Sequence, residues 1–281
     1  MNAQQQGERD RVAVVAGLRT PFTKAGTALK ALRTVDLATT VVKELIARSE
    51  LSPKEVTLCV YGQVVPTLDW LNIAREVVLR SGLPKDIDAF SVSRACATSL
   101  QAMTNAAEQI LLGHHDVAIV GGADSMSDVP LGVSRRLSTA LQEAQKAKKL
   151  GDKLKAFSKL SPKDLVPPIP GFSREPTTGE QMGEAAEKMA KLNGITRQEQ
   201  DAIAHRSHTN AARAWSDGTY AAEVMHVIPP PYDAPVQKDN LVREDSVLEG
   251  TRSSRRCSTG STARSPPATH RPSPTGRARS S

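Results

Sequence analysis

The chain has 281 residues, 37 Lys and Arg against 30 Asp and Glu, and 39% apolar residues, which is enough for one large or two small domains with a substantial core. Its formal charge of +7 does not mark a nucleic-acid binder, because seven arginines and no acidic residue fall in 251–281, leaving residues 1–250 with 30 charges of each sign. No apolar run approaches the roughly 18 residues of a membrane span, and the N-terminus is polar rather than a secretory signal (Met1-Asn2-Ala3-Gln4). Cys59, Cys96 and Cys257 have no paired spacing and fit a reducing compartment, so a cytoplasmic protein is expected.

Up to Gly122 the pattern alternates between short apolar runs and segments of 3.6-residue periodicity. It predicts strands at 11–15, 56–61, 87–92 and 116–120, and helices at 36–48, 71–80 and 96–112, with Asp36 as a capping residue. This is the rhythm of a sheet covered by helices on its faces. From Leu131 the character changes to a lysine-rich amphipathic helix over 138–150, and then to a linker containing Pro162, Pro167, Pro168 and Pro170. A helix over 178–192 carries Met182, Ala186 and Met189 on one face. A helix over 196–215 opens on the capping-box pattern Thr196-Arg197-Gln198-Glu199.

One thiol stands out. Cys96 lies where the strand at 87–92 gives way to the helix carrying Leu100, Met103, Ala107, Ile110 and Leu111. Unpaired N–H groups and the positive end of a helix dipole favour the thiolate there, and the thiolate is the nucleophilic form. The other titratable pairs carry less. His114 and His115 follow the helix end and are expected to be exposed. His205 and His208 share a helical face but have no thiol or carboxylate motif beside them, so no metal site is expected. Gly121-Gly122 lacks the glycine pattern of a phosphate loop and reads as a tight turn.

The Cys96 segment, Ser93-Arg94-Ala95-Cys96-Ala97-Thr98-Ser99, resembles the acyl-acceptor motif of thiolases, the 3-ketoacyl-CoA acyltransferases. The opening Val14-Val15-Ala16-Gly17-Leu18-Arg19-Thr20-Pro21-Phe22 and the run Gly121-Gly122-Ala123-Asp124-Ser125-Met126 resemble the same family, in the same order. Met126-Ser127-Asp128-Val129-Pro130 and the Ala97-Thr98-Ser99 stretch are most similar to the thiolase subunit of the fatty-acid β-oxidation complex.

The resemblance implies the N-terminal half of a thiolase-like α/β fold over 1–122: a mixed sheet with helices on both faces. A mainly helical loop domain over 123–250 would be inserted on the coenzyme A side. It implies Cys96 as the acyl acceptor in thiolytic cleavage of 3-ketoacyl-CoA, and it aligns Met182 with a segment lining the acyl and pantetheine pocket. Coenzyme A is then a substrate, with no further cofactor. A homo-oligomer and a hydratase/dehydrogenase subunit are the implied partners, together with acyl-CoA. The family's second half brings a histidine in an H-E-A-F-like stretch, a histidine in G-H-P and a cysteine in C-x-G, and none of these motifs occurs in this sequence. A decarboxylating condensing enzyme, or a non-catalytic CoA-binding fragment, are the alternative readings.

The resemblance reaches only to about Gly250. Beyond it, 251–281 is rich in Ser, Arg, Pro and Thr and has no aromatic residue, the composition of a disordered tail. Read back by one base, the codons of 255–281 can encode A-P-V-F-D-R-Q-H-G-S-V-T-A-G-N-S-S-P-L-T-D-G-A-G-A-V-I. That run is similar to the thiolase segment immediately downstream of Leu-Glu-Gly, and it implies a frameshift near Gly250.

Overall fold

The computed structural model describes residues 11–158, 160–166 and 174–246. The tail expected over 251–281 and the frameshift near Gly250 therefore lie outside the described residues. The elements in chain order are α1 (Thr34–Ser49), β1 (Leu58–Gly62), α2 (Ile73–Ser81), β2 (Asp88–Val92), α3 (Thr98–Leu111), β3 (Ala118–Gly122), α4 (Arg135–Lys146), α5 (Leu150–Phe157), α6 (Met182–Leu192) and α7 (Arg197–Ser216).

The strands form one sheet in the order β2-β1-β3, with Leu58 opposite both Asp88 and Ala118. Both pairings are parallel, so the sheet is parallel among the described residues rather than mixed. Parallel neighbours require crossovers, and α2 and α3 supply them. The central position of β1 explains its composition. All five residues of Leu58-Cys59-Val60-Tyr61-Gly62 are buried, because helices cover both of its faces. On one face Cys59 and Tyr61 pack with Val35, Ala38 and Val42 of α1 and with Ile73, Ala74, Val77 and Val78 of α2. On the other, Leu58 and Val60 pack against Ala102 and Ala106 of α3.

Several boundaries differ from expectation for identifiable reasons. Helix α1 begins at Thr34, and Asp36 acts from its third position, where its carboxylate accepts the Arg33 N–H at 3.1 Å and closes the first turn reciprocally. The helix expected over 138–150 is two helices, because Ala147 and Lys149 are extended and let α5 fold back on α4. Helix α6 starts at Met182, four residues later than predicted, with Glu184 accepting the Gln181 N–H at 2.8 Å.

The strand expected over 11–15 is not formed. Its residues have no regular secondary structure, and Val14 is 72% and Val15 91% exposed, since no strand of the described chain lies alongside to pair with them. The first strand-like contact of this segment is a single bridge between Arg19 and Val224.

The two-sided packing of β1 makes a direct prediction. Replacing the fully buried Leu58 by alanine removes a side chain held between the sheet and α3, and should cost about 2–5 kcal/mol. Leu154 on α5 is 66% exposed, so the same change there should stay within about 0.5 kcal/mol. Urea denaturation of the two variants measures the difference.

Candidate active site

The last residues of the three strands, Val92, Gly62 and Gly122, lie in register, and the N-terminus of α3 sits across them. A Cβ on Gly62 would overlap Thr98 Cγ2 and the Val92 carbonyl oxygen, and one on Gly122 would lie 2.5 Å from Ser99 Oγ. Glycine at both positions is thus what lets the start of α3 descend onto the carboxyl ends of β1 and β3, the usual location of sites in open α/β sheets. Gly121-Gly122 is accordingly not a tight turn: both residues belong to β3, and the second one makes room for Ser99.

Cys96 occupies the turn that leads from β2 into this helix. Ala95 takes the left-handed conformation with φ 46°, a backbone state costing about 1–3 kcal/mol for a non-glycine residue and concentrated at functional sites. Thr98 holds the turn from both sides: its hydroxyl accepts the Arg94 N–H at 2.8 Å and donates to the Ala95 carbonyl at 2.7 Å. The Ala97 and Thr98 N–H groups also donate, to the Arg94 and Ala95 carbonyls at 3.0 and 3.1 Å. Arg94 in turn hydrogen-bonds Gln101 on the first turns of α3. The helix begins at Thr98 rather than at Cys96, so the thiol precedes the first turn by two residues and stands exposed. An exposed sulfur on a constrained turn at a helix N-terminus suits nucleophilic attack on a carbonyl carbon.

Cys59, by contrast, is completely buried in β1, and burial pushes its thiol up to about 12. The neighbouring Tyr61 phenol is raised by the same desolvation.

A cleft of about 660 Å³, which Cys96 does not line, opens at the start of α3 between residues 18–25 on one side and Tyr61, Ser99 and residues 122–127 on the other. Polar contacts fix its walls. Asp124 accepts the Val64 and Val65 N–H groups at 3.0 and 2.8 Å, tying the exits of β1 and β3 together. The Gly26 N–H donates to Ser127 Oγ at 2.9 Å, and the Ser125 N–H to Thr34 Oγ1 at 3.2 Å. Arg19 makes a bidentate pair with Asp239 at 2.9 and 3.1 Å, and the same carboxylate accepts the Phe22 N–H at 2.6 Å. Asn240 adds a contact from the Lys24 N–H at 2.8 Å, so the 239–241 segment straps residues 19–27 down.

The remaining candidates lie elsewhere. His115 contacts Thr57 Oγ1 at 3.1 Å and approaches Asp88 at 3.9 Å, and His114 contacts Gln109 at 2.8 Å. Thr57 and Asp88 mark the amino ends of β1 and β2, so this pair sits at the end of the sheet opposite Cys96. His208 accepts the Arg243 N–H at 3.3 Å and His205 meets Ser246 Oγ at 3.3 Å, which makes them anchors for residues 243–246. Among the described residues no group of three or more His, Cys, Asp or Glu side chains is placed to hold a metal. Met182 is the first residue of α6, 58% exposed, and does not line the cleft.

Periodicity assigned no role to Gly62 and Thr98, which set the turn, or to Asp124, which ties the strand exits together. Thr98 and Asp124 stand within the motifs that carry the family resemblance, whereas Gly62 has no signal beyond its place at the end of a strand.

Comparison with known proteins agrees with this geometry. The family model described as "Thiolase, N-terminal domain" matches residues 12–259. The chain belongs to the thiolase family. Curated relatives include a 3-ketoacyl-CoA thiolase of Escherichia fergusonii, 51% identical over 239 residues, covering 85% of this chain and 55% of the relative. One from Shewanella pealeana is 50% identical over 240 residues with the same coverage. The chain thus spans about half the length of the curated relatives it matches. Among solved structures, a Bacillus anthracis acetyl-CoA acetyltransferase superposes with a TM-score of 0.69 at 28% identity, over 84% of this chain and 56% of that one. Human mitochondrial 3-ketoacyl-CoA thiolase in complex with CoA shares the fold with a TM-score of 0.67 at 24% identity, over 85% of this chain and 56% of that one.

The contrast between the two described cysteines predicts a selective reaction. Iodoacetamide at pH 8–9 should alkylate Cys96 and leave Cys59 untouched, because the folded Cys59 thiol stays protonated until about pH 12. Peptide mapping after a timed quench reads the ratio. Equal labelling of both in the folded chain would contradict the arrangement.

Proposed function

We propose that the full-length form of this protein catalyses thiolytic cleavage of 3-ketoacyl-CoA, with Cys96 as the acyl acceptor. The observation that carries the reading is the exposed Cys96 on its Ala95 turn over the ends of the strands. The names of the relatives at 50–51% identity supply the substrate class.

In the first half-reaction the Cys96 thiolate attacks the 3-keto carbon. The C2–C3 bond breaks, the electron pair passes to C2, and protonation of C2 releases acetyl-CoA while the shortened acyl group stays as a thioester on Cys96. Coenzyme A then attacks that thioester, and acyl-CoA leaves as the thiolate is regenerated. Coenzyme A is thus a substrate, and the human relative solved in complex with it supports this assignment.

Residues 123–250 form the coenzyme A side of the half, with Met182 against the acyl or pantetheine portion. The setting is cytoplasmic fatty-acid β-oxidation, with a homo-oligomer and a hydratase/dehydrogenase subunit as partners.

The chemistry also needs a base for the thiol, a proton donor for C2 and oxyanion donors. Among the described residues no side chain hydrogen-bonds Cys96, and the histidines at 114, 115, 205 and 208 are engaged elsewhere. This favours a second reading for the 281-residue chain alone, that of a CoA-binding fragment without turnover.

The experiment tracks the loss of the 3-ketoacyl-CoA enolate absorbance in the presence of coenzyme A. The 281-residue chain should give no rate above background. A form with the reading frame restored and the downstream half present should turn over, and Cys96→Ala in that form should abolish the rate. Robust turnover by the 281-residue chain, or by the Cys96→Ala form, would refute the assignment.

A further inference from the structure

The arginines around the sheet are satisfied in different ways. Arg19, Arg33, Arg48 and Arg80 each pair with a carboxylate, and Arg75 donates to the Lys85 and Ile87 carbonyls. Arg94 differs. It is exposed, its guanidinium donates to the neutral amide of Gln101, and it forms no ion pair among the described residues.

The place makes this charge costly. A helix N-terminus already carries partial positive charge, so a cation beside it is unfavourable unless an anion shares the position. Helix α3 has no acidic residue in its first turn, and its cap residue, Ala97, has no side chain that could accept a free N–H. Positive potential therefore gathers here with no resident carboxylate to balance it.

The guanidinium is also held in place. Gln101 accepts from Arg94 through Oε1 and donates through Nε2 to Asn105 Oδ1, which fixes the head of Arg94 to a polar ladder along α3. At the other end, the Arg94 carbonyl accepts the Ala97 N–H and the Arg94 N–H donates to Thr98 Oγ1. The bridge from Arg94 to Gln101 thus spans the bend in which Cys96 stands.

We propose that Arg94 is the cationic partner of the Cys96 sulfur, and that Gln101 is the positioning residue that keeps the guanidinium at the bend. The anion that balances this corner is the sulfur itself in its attacking, ionised form. The assignment rests on Cys96 being the reacting sulfur, as proposed above, but its test needs no thiolysis. A frame-restored form that fails to turn over would refute the acyl-acceptor role, whereas the measurement below reads only the potential at the sulfur.

Two alkylating reagents separate charge from access. Iodoacetamide is neutral and iodoacetate is an anion, and each forms an S–CH2 bond with the thiolate and releases iodide. The ratio of their rates at Cys96, iodoacetate over iodoacetamide, cancels the thiolate fraction and the exposure of the sulfur and leaves the local potential. In the 281-residue chain, Arg94→Gln should lower this ratio about threefold or more at low salt, and the difference should vanish in about 1 M NaCl. Arg94→Lys keeps the charge, so its ratio should stay closer to that of the parent than to that of Arg94→Gln. Gln101→Leu keeps the guanidinium but frees it, and should lower the ratio about twofold. Cys59 reports folding, because it is completely buried and reacts only when the core opens. If Arg94→Gln exposes Cys59, Gln101→Leu and Arg94→Lys carry the test. An unchanged ratio in Arg94→Gln or in Gln101→Leu, a loss that persists at high salt, or an Arg94→Lys ratio as low as that of Arg94→Gln would each overturn the proposal.

Discussion

The close approach of α3 to the ends of β1 and β3 is the constraint on which the rest of the site depends. It exists because Gly62 and Gly122 carry no Cβ: with alanine at either place, Thr98 and Ser99 would have to withdraw. Once the helix start is seated there, Thr98 can close the Arg94–Ala95 turn, Ala95 is held left-handed, and Cys96 is left on the outside of the bend. The backbone strain at Ala95 is sustained by hydrogen bonds on both sides of it, which is how a packed core transmits rigidity to an exposed thiol.

A second layer of interactions defines the cleft at the start of α3. Arg19 is the hub: it pairs with Asp239 and lies over the rings of Phe22 and Tyr220 at 4.7 and 5.1 Å. Asp239 is almost fully buried and accepts from both the guanidinium and the Phe22 N–H, so its buried carboxylate is matched by charge-assisted donors. It links residues that are 220 apart in sequence, and with Asn240 it sets one wall of the cleft while Asp124 sets the other. These contacts fix the shape of the cleft that Ser99 and Gly122 border.

Much of this was legible in the sequence. The β-α alternation follows from local periodicity, and β1, β2 and β3 all appear within two residues of expectation, because a buried parallel strand reads as a continuous apolar run such as Leu58-Cys59-Val60-Tyr61. The position of Cys96 between a strand and a helix was legible for the same reason. The strand at 11–15 was not, because pairing is non-local: Val12, Val14 and Val15 have β propensity, but a strand forms only where a neighbour supplies hydrogen bonds. The break at Ala147 was hidden as well, since Lys148-Lys149-Leu150 continues an acceptable helical pattern and only the folding of α5 against α4 interrupts it. The glycines were visible but misread, because steric room for Ser99 is a property of the packed helix and not of the Gly-Gly pair.

If the turn over the strand ends makes Cys96 the acyl carrier, the covalent intermediate itself can be captured. The decisive experiment is intact-mass and peptide-level mass spectrometry of the frame-restored protein, quenched in acid after incubation with an acyl-CoA and no free coenzyme A. One acyl adduct per chain is expected, located on the peptide containing Cys96 and discharged when coenzyme A is added. An adduct on Cys59, or none on Cys96 in a protein that turns over, would rule out Cys96 as the carrier.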